Sequence, residues 1–288
     1  MWFSGLFRER KASHTPMRRR SGFRPRLEAL EDRCVPSTLK VTNLGDGGKG
    51  SLRYEIAAAQ SGDTIVFDKK LDGGTITLRS QNELLINKNL TIQGPGARLL
   101  TVADGGDLVG CRIFEIESAT VTLSGLTISN GRGRASAYSG DFYDGQGGGI
   151  LNFGTLTISG CTVTGNSAEN GGGIYNTGTL TVNNNSTLSD NGKPGIGFGG
   201  GIYNAGTLTV SNSTVSGNFA FSGGGIYNTG GATVSGCILS GNNAWGGGNG
   251  GGIYNNGNAL TVSNSTFSSN TPDNIFGPYT DGGGNTFS

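Results

Sequence analysis

The chain has 288 residues, of which 14% are charged and 55 are glycine, and its net charge is +1. This composition is typical either of low-complexity disorder or of a solenoid of stacked turns, and the periodicity of the apolar residues decides between them. Residues 1–36 carry nine Lys and Arg against four Asp and Glu, whereas the remainder carries twelve against sixteen. Because the part expected to fold is mildly acidic, a nucleic-acid partner is set aside.

Residues 1–37 predict a disordered basic tail. They are rich in Arg, Ser and Pro and show no sustained periodicity. No run of about 18 apolar residues occurs in the chain, so no membrane-spanning helix is expected. No apolar segment follows the basic N-terminus, so an ordinary secretory signal peptide is not visible.

Residues 38–62 predict an N-terminal cap made of a strand and a short helix. Ser51 is the expected N-cap of the helix and Gly62 its expected C-terminal stop. The apolar face of this helix is formed by Leu52, Ile56 and Ala59. A helix laid across the end of a solenoid would cover its open strand edges. The first clear strand after it is expected at Thr64–Phe67.

From Gly147 onward the sequence repeats with a period of 24 to 28 residues, each unit opening on Gly-Gly-Gly-Ile. Within a unit the apolar residues alternate with period two, which indicates strands. Three short strands and three turns in each unit form one coil of a parallel β-helix. Less regular coils precede these units, so residues 63–270 predict an all-β, single-stranded solenoid of about eight coils. Residues 271–288 are expected to form a C-terminal tail or cap.

Stacked coils place equivalent side chains in columns. One column expected in the core contains Ile150, Ile174, Ile202, Ile226 and Ile253. A second contains Leu156, Leu180, Leu208, Ala232 and Leu260. Two further sets are asparagines expected at turns, where asparagine tolerates left-handed backbone. Stacked, each set forms an amide ladder, for which a structural role is favoured over ligand binding. The sets are Asn152, Asn176, Asn204, Asn228 and Asn255, then Asn166, Asn191, Asn218, Asn242 and Asn270.

The four cysteines show no CxxC spacing, and the one histidine is His14. A zinc or haem site therefore lacks ligands, and no cofactor is predicted; calcium stays open without a motif to support it. Cys161 and Cys237 fall at the same position in coils three apart, which separates them by about 14 Å. That is too far for a disulfide, so both are expected to be unbonded, small buried apolar groups.

Charged residues suitable for catalysis are sparse. Between Gly145 and Asn270 only Glu169, Asp190 and Lys193 are charged, which favours solvated turn charges. A cluster in the connection Gly131–Gln146, with one residue of the equivalent turn in the next coil, supplies the candidates for a carbohydrate-cleaving pair or a calcium site. These candidates are Arg132, Arg134, Asp141, Asp144 and Glu169.

Aromatic residues recur in the same connections and are expected to project from one edge of the solenoid. They are Phe142, Tyr143, Phe198, Phe219, Phe221 and Trp245. A second column, expected to face outward directly after the buried isoleucines, contains Tyr175, Tyr203, Tyr227 and Tyr254. Exposed aromatic rows stack on sugar rings, and aromatic columns also cover backbone and stabilise a stack of coils. Both roles remain open at this point.

The segment "RPRLEALEDRCVPS" (Arg24–Ser37) resembles the N-terminal motif of planctomycete extracellular proteins, a variation on R-x-L-E-x-L-E-x-R-x-L-L-S. The matching positions are Arg26, Leu27, Glu28, Leu30, Glu31, Arg33 and Ser37. "CVPS" departs from the usual ending. The resemblance implies export to the cell envelope or beyond.

The body resembles right-handed parallel β-helix proteins of the pectate-lyase-like superfamily, and is similar to those with GGAI and FxxN repeats such as the chlamydial polymorphic outer-membrane proteins. GGA[IL] is present here as GGGI, and FxxN as "FSSN" (Phe267–Asn270). The resemblance implies the right-handed fold and an extracellular or outer-membrane location. The superfamily contains lyases, hydrolases, adhesins and scaffolds, so fold alone leaves function open.

Two functions follow as hypotheses. The first is a secreted or cell-surface protein with a structural or adhesive role, which binds extracellular polysaccharide or cell-surface components through its aromatic rows. The alternative is a polysaccharide lyase or glycoside hydrolase that uses the 131–146 loop.

Overall fold

The computed structural model describes residues 35–79, 82–106, 110–133, 145–194, 197–257 and 259–288. The first elements are β1 (Thr38–Val41), α1 (Leu52–Ala58), β2 (Thr64–Phe67), a 3-10 helix (Lys69–Leu71), β3 (Gly74–Leu78), β4 (Leu84–Ile86), β5 (Leu90–Gln93), β6 (Leu100–Asp104) and β7 (Phe114–Ile116). The next are β8 (Thr120–Ser124), β9 (Thr127–Ser129), β10 (Ile150–Asn152), β11 (Thr155–Ser159), β12 (Thr162–Thr164), β13 (Ile174–Asn176), β14 (Thr179–Asn183), β15 (Thr187–Ser189) and β16 (Ile202–Asn204). The last are β17 (Thr207–Ser211), β18 (Thr214–Ser216), β19 (Phe219–Ala220), β20 (Ile226–Asn228), β21 (Gly231–Ser235), β22 (Ile238–Ser240), β23 (Asn243–Ala244), β24 (Ile253–Asn255), β25 (Leu260–Ser263), β26 (Thr266–Ser268), β27 (Ile275–Phe276), β28 (Thr280–Asp281) and β29 (Thr286–Phe287).

Three parallel sheets form the walls of the solenoid, and each coil contributes one strand to each sheet in the order A, B, C. Sheet A contains β1, β2, β5, β8, β11, β14, β17, β21, β25 and β28. Sheet B contains β3, β6, β9, β12, β15, β18, β22, β26 and β29. Sheet C contains β4, β7, β10, β13, β16, β20, β24 and β27, and β19 pairs with β23 outside the three walls. Strands β2 to β27 make eight complete coils, which confirms the prediction of a parallel β-helix of about eight coils.

Equivalent apolar side chains stack inside the three walls. The isoleucines of successive C strands pair in register from Ile150 to Ile253, and all are fully buried. The A strands stack Leu156, Leu180, Leu208, Ala232 and Leu260 in the same way. Each inward residue is covered by its neighbours above and below, so the core is one continuous apolar column that runs through the solenoid.

Buried asparagines form two amide ladders beside the apolar columns. In the first, the side-chain Nδ2 of one asparagine donates to the Oδ1 of the next, at 2.6 Å from Asn152 to Asn176 and 2.8 Å from Asn228 to Asn255. The same amide closes its own corner, because Asn152 Nδ2 donates to the Gly154 carbonyl and Asn152 Oδ1 accepts from the Gly154 N–H. The first ladder therefore joins neighbouring coils and fixes the corner between sheets C and A.

The second ladder runs from Asn166 to Asn270 at the end of the B strands, with Nδ2 to Oδ1 distances of 2.9 to 3.0 Å. The expectation of left-handed backbone at the ladder asparagines is wrong. The left-handed residue stands one position earlier, with φ between 54° and 65°, and its column is Asn130, Gly165, Asp190, Gly217, Gly241 and Ser269. That residue makes the turn, which leaves the asparagine extended enough to point into the core.

The N-terminal end of the solenoid carries α1. The Ser51 side chain accepts a hydrogen bond from the Tyr54 N–H, as expected of an N-cap. The helix ends at Ala58 with extended backbone at Ala59, so the predicted stop at Gly62 lies too late. The next corner is closed by Asp63, which accepts from the Gln60 and Ser37 N–H groups; these two bonds hold the pKa of Asp63 below its ordinary value.

Cys111, Cys161 and Cys237 are free and buried, which confirms that Cys161 and Cys237 are not bonded to each other. The strand registers place both at one position, three coils apart, and the coils between and after them have serine there. The Cys237 Sγ lies 3.2 Å from the Ser235 carbonyl oxygen. The position is therefore compatible with a polar group, rather than purely apolar as expected.

Candidate functional site

Side chains outside the repeat gather in the connections that lead from a B strand to the next C strand. We call the successive connections, which span residues 105–113, 130–149, 165–173, 190–201, 217–225 and 241–252, the B–C edge. The last five begin at the left-handed turn residue and end at the glycine triplet, whereas 105–113 has no triplet. Most of the variation in the repeat period falls between these two fixed points, so inserted residues project there without disturbing the three walls.

The glycine triplets fix the end of each connection. The first glycine has left-handed backbone, as at Gly223 with φ of 64°. A Cβ on the third, Gly225, would lie 2.5 Å from the Gly252 carbonyl oxygen and 3.2 Å from the amide carbon of Asn242. No side chain fits between two coils that approach so closely, so the triplet is required by packing.

A polar groove of about 700 Å³ runs along the B–C edge across four coils. The side chains and backbone that line it include Asp104, Asn130, Arg132, Ser167, Gly192 and Lys193. Arg132 pairs with Ser167 through a parallel bridge, and Gly192 pairs with Phe219 in the same manner. The groove thus follows the solenoid axis and ends beside Phe219.

The floor of the groove holds a buried carboxylate. Asp104 is only 8% exposed, and its Oδ2 has no hydrogen-bond partner within the described part of the chain. Its Oδ1 lies 3.6 Å from the Cys111 Sγ. Burial, and then the charge of Asp104, raise the pKa of Cys111 to about 12, so this thiol stays protonated and is not a nucleophile.

Two exposed cations stand at the groove. The aliphatic stem of Arg132 packs over Gly110, since a Cβ on that glycine would lie 2.7 Å from Arg132 Cδ. Among the residues that the structure describes, neither Arg132 nor Lys193 forms an ion pair; the three pairs seen are Lys40–Asp68, Arg53–Asp46 and Arg112–Glu115. Lys193, predicted to be a solvated turn charge, is exposed in its connection and also lines this groove.

The predicted catalytic cluster is only partly visible. Arg134, Asp141 and Asp144 lie outside the described residues, as do the aromatic candidates Phe142 and Tyr143. Glu169 is exposed on the same edge as Arg132, two residues beyond the Arg132–Ser167 bridge, and makes no ion pair with Arg132. The described part of the cluster therefore offers one carboxylate and one guanidinium in separate positions.

The remaining aromatic candidates lie on the B–C edge in three successive coils. Phe198 is 36% exposed, Phe221 38% and Trp245 60%, while Phe219 is half-buried. Phe198 contacts Phe221 edge-to-face at 6.2 Å between ring centroids, and it packs against Tyr227 at 4.8 Å. These contacts hold Phe198 in place while part of its surface remains in solvent.

A tyrosine stack supports this aromatic surface from the outer face of sheet C. The centroids of Tyr175, Tyr203, Tyr227, Tyr254 and Phe276 follow each other at 4.7 to 5.3 Å, nearly parallel. The expectation of outward exposure fails for Tyr175, which is 6% exposed, and the other three tyrosines are half-buried. Burial, and then the neighbouring Tyr254 and Tyr203, raise the pKa of Tyr227, so its hydroxyl is neutral at physiological pH.

No group of three or more His, Cys, Asp or Glu residues that could hold a metal ion occurs in the described ranges. Within the same ranges, the search for a helix able to cross a membrane finds none.

Comparison with models of known protein families gives no match, and no curated protein matches the sequence. Two solved structures are similar. The pectate lyase Pel9A superposes with a TM-score of 0.50 at 14% identity, over 88% of this chain and 77% of the lyase. The pectin methylesterase PemA from Erwinia chrysanthemi gives a TM-score of 0.38 at 14% identity, over 81% of this chain and 65% of the esterase. Together with the sheet topology, the first of these shows that the chain has the right-handed parallel β-helix fold.

Proposed function

We propose that this protein is a secreted or cell-surface β-helix with an adhesive role, which binds polysaccharide along the B–C edge. The observation that carries the proposal is the exposure of Phe198, Phe221 and Trp245 on one edge, in successive coils. Contiguous exposed apolar surface rimmed by polar groups is a mark of an interaction site. Flat aromatic rings fit the apolar C–H faces of pyranose sugars while the polar rim serves their hydroxyl groups.

The preorganisation of these rings supports binding over simple coverage of the backbone. Phe198 is fixed by Tyr227 and Phe221, so little side-chain entropy is lost when a ligand binds. The coils repeat at about 4.8 Å along the axis, so rings in successive coils form a platform suited to an extended polymer. Export is supported by the resemblance of the N-terminal segment to extracellular proteins, and a polysaccharide ligand by what the name of the similar lyase says it acts on.

The alternative, a polysaccharide lyase or glycoside hydrolase, has no specific contact in its favour among the described residues. Cleavage requires a positioned acid or base close to a second catalytic group. Glu169 and Arg132 are separately solvated, and the other members of the cluster lie outside the described ranges. The binding proposal therefore has the better support.

The test is a binding screen of the purified chain against a panel of immobilised polysaccharides, followed by the variant Phe221→Ala/Trp245→Ala. We expect at least about tenfold weaker binding, since each aromatic contributes on the order of 1 kcal/mol of stacking. The matched control is Tyr279→Ala, an exposed aromatic at the C-terminal end of the solenoid. The thermal midpoint of every variant checks the fold. Absence of any polysaccharide binding by the unmodified protein would sink the proposal, and release of new chain ends from a bound polymer would establish the cleavage alternative.

A further inference from the structure

The groove is lined by charged side chains, whereas the exposed aromatic surface consists of uncharged rings. After Arg112 the sequence contains only three cations, Arg132, Arg134 and Lys193, and the two whose positions are described both line this groove. Sheet A and the regular corners have no cation over the same coils. The described lining of the groove thus has two exposed cations and one buried carboxylate as its charged side chains, which favours an anionic ligand there.

The buried Asp104 requires a hydrogen-bond donor from the ligand, in addition to the negative charge that the cations require. An unpartnered carboxylate oxygen with so little exposure loses hydration without compensation, and a hydrogen-bond donor from a ligand would supply it. An inorganic anion without a hydroxyl group, such as sulfate, has no such donor to offer and would be repelled by the carboxylate. A sugar with free hydroxyl groups has donors, and an acidic sugar unit adds the negative charge that the cations require.

The register sets the distance between the cations. Arg132 pairs with Ser167, and Gly192 occupies the same position one coil further on, because its N–H donates to the Asn166 carbonyl. Lys193 follows Gly192, so the backbones of the two cationic residues lie two coils apart. At the usual strand spacing this is about 10 Å along the axis, which is close to the length of a disaccharide and twice that of a single sugar.

We infer that the groove binds an acidic polysaccharide with one anionic group on every second sugar, laid along the solenoid axis. Arg132 and Lys193 bind successive anionic groups, Asp104 accepts a hydrogen bond from a sugar hydroxyl, and the polymer continues past Phe219 onto the exposed aromatics. The inference rests on the proposed function, because it specifies the ligand class of the same edge. A polymer charged on every sugar would place an unpaired anion between the two cations, opposite Ser167.

The experiment uses the full chain and three polysaccharides of matched length, which are unsulfated chondroitin with a carboxylate on alternate sugars, polygalacturonate with a carboxylate on every sugar, and neutral glucomannan. We expect chondroitin to bind most tightly, with an affinity that falls as salt is raised. The variants Arg132→Gln and Lys193→Gln should each weaken chondroitin binding by about fivefold to tenfold, as expected for loss of one charge-assisted contact. Both should weaken chondroitin binding by a larger factor than glucomannan binding, because only chondroitin loses a charge-assisted contact.

Lys69→Gln is the charge-matched control, because Lys69 is exposed on the 3-10 helix away from the B–C edge. Polygalacturonate binding as tightly as chondroitin would overturn the alternating-charge inference, and so would unchanged chondroitin binding in both groove variants. In either case the proposed function would still stand if glucomannan binding depended on Phe221 and Trp245. If the unmodified protein bound none of these three polymers and no other polysaccharide of the panel, the proposed function itself would be refuted.

Discussion

The coils that precede the first glycine triplet (the early coils) and those that follow it (the regular coils) fill the same inward position with different residues. The position filled by Asn152 and the later asparagines of the first ladder is occupied by Ile86 and Ile116 in the two preceding C strands. In the early coils it contributes apolar burial alone. In the regular coils the amide packs, closes its own corner and joins the next coil, so neighbouring coils are coupled through side chains as well as through backbone.

The largest expected effect comes from replacing an amide by the residue of the early coils. Asn204→Ile removes the donor to Asn228 and deprives the Asn176 amide of its acceptor in the ladder, both inside the core. The change leaves Asn176 Nδ2 only the Gly178 and Thr207 carbonyls. We expect a loss of about 3–5 kcal/mol in the free energy of unfolding, since each buried unsatisfied group costs roughly 1–3 kcal/mol. Urea unfolding followed by circular dichroism measures this.

The control for that change is Ile116→Val in the same column, where one methyl group is removed at a cost of about 1 kcal/mol. If Asn204→Ile proved no more costly than Ile116→Val, the amide ladder would contribute nothing to stability, and the difference between early and regular coils would be one of composition only.

A second pair of variants tests the position that is occupied by Leu126 in an early coil and by Cys161 and Cys237 in later coils. Leu126→Ser removes a fully buried apolar side chain from an early coil and should cost roughly 2–4 kcal/mol. Cys237→Ser should cost less than about 1 kcal/mol, because the serines at this position already donate to the backbone, as Ser213 Oγ does to the Ser211 carbonyl at 2.8 Å. Thermal midpoints of both variants provide the measurement, and equal losses would contradict the assignment.

Two glycines of one coil should respond in opposite directions. Gly225→Ala places a Cβ against the Gly252 carbonyl oxygen, and we expect a loss of about 1–3 kcal/mol from this overpacking. Gly231 has open space at its Cβ position and pairs with Thr207, so Gly231→Thr should gain about 0.5 kcal/mol from the better strand residue. Denaturant midpoints measure both changes. A loss at Gly231 as large as that at Gly225 would show that backbone freedom, and not space between coils, dominates.

The smallest effect concerns pH and is confined to the early region. Because the pKa of Asp63 is lower in the folded chain than its ordinary value of 3.8, its contribution is fully present above that value. The contribution is lost as the pH falls through the lowered value. The protection factors of the α1 amides, which are the intrinsic exchange rates divided by the observed rates at the same pH, should be lower at pH 3 than at pH 6, and Asp63→Asn should remove much of that difference. A pH response of equal size in the regular coils would refute this localisation.

The fold could be predicted from the sequence because the positions that enter the core repeat at nearly constant spacing. Isoleucines that recur every 24 to 28 residues and apolar residues that alternate with period two admit one architecture. The strand registers then follow from alignment of the units, including the three-coil separation of Cys161 and Cys237. What the alignment could not give was backbone conformation at each turn, where Gly165 and not Asn166 takes the left-handed geometry.

The groove could not be predicted from the sequence, because part of it lies outside the regular repeat. Asp104 belongs to an early coil without the regular motif, so no alignment placed it beside Arg132 or Lys193. Exposure of the aromatics also depends on the local path of each connection. Phe219 and Phe221 are two residues apart in one connection, yet only Phe221 reaches solvent to the extent of Phe198.

The direction of the bonds between coils has a mechanical consequence. Every backbone bond of the three walls, and every rung of the two amide ladders, points along the solenoid axis. A force applied evenly across the two ends would load all bonds of a junction simultaneously, whereas a force on the chain terminus would load them one after another. The solenoid should therefore resist a force applied across its two ends far better than the same force applied to one chain terminus. Unfolding from the terminus should proceed in steps of one coil.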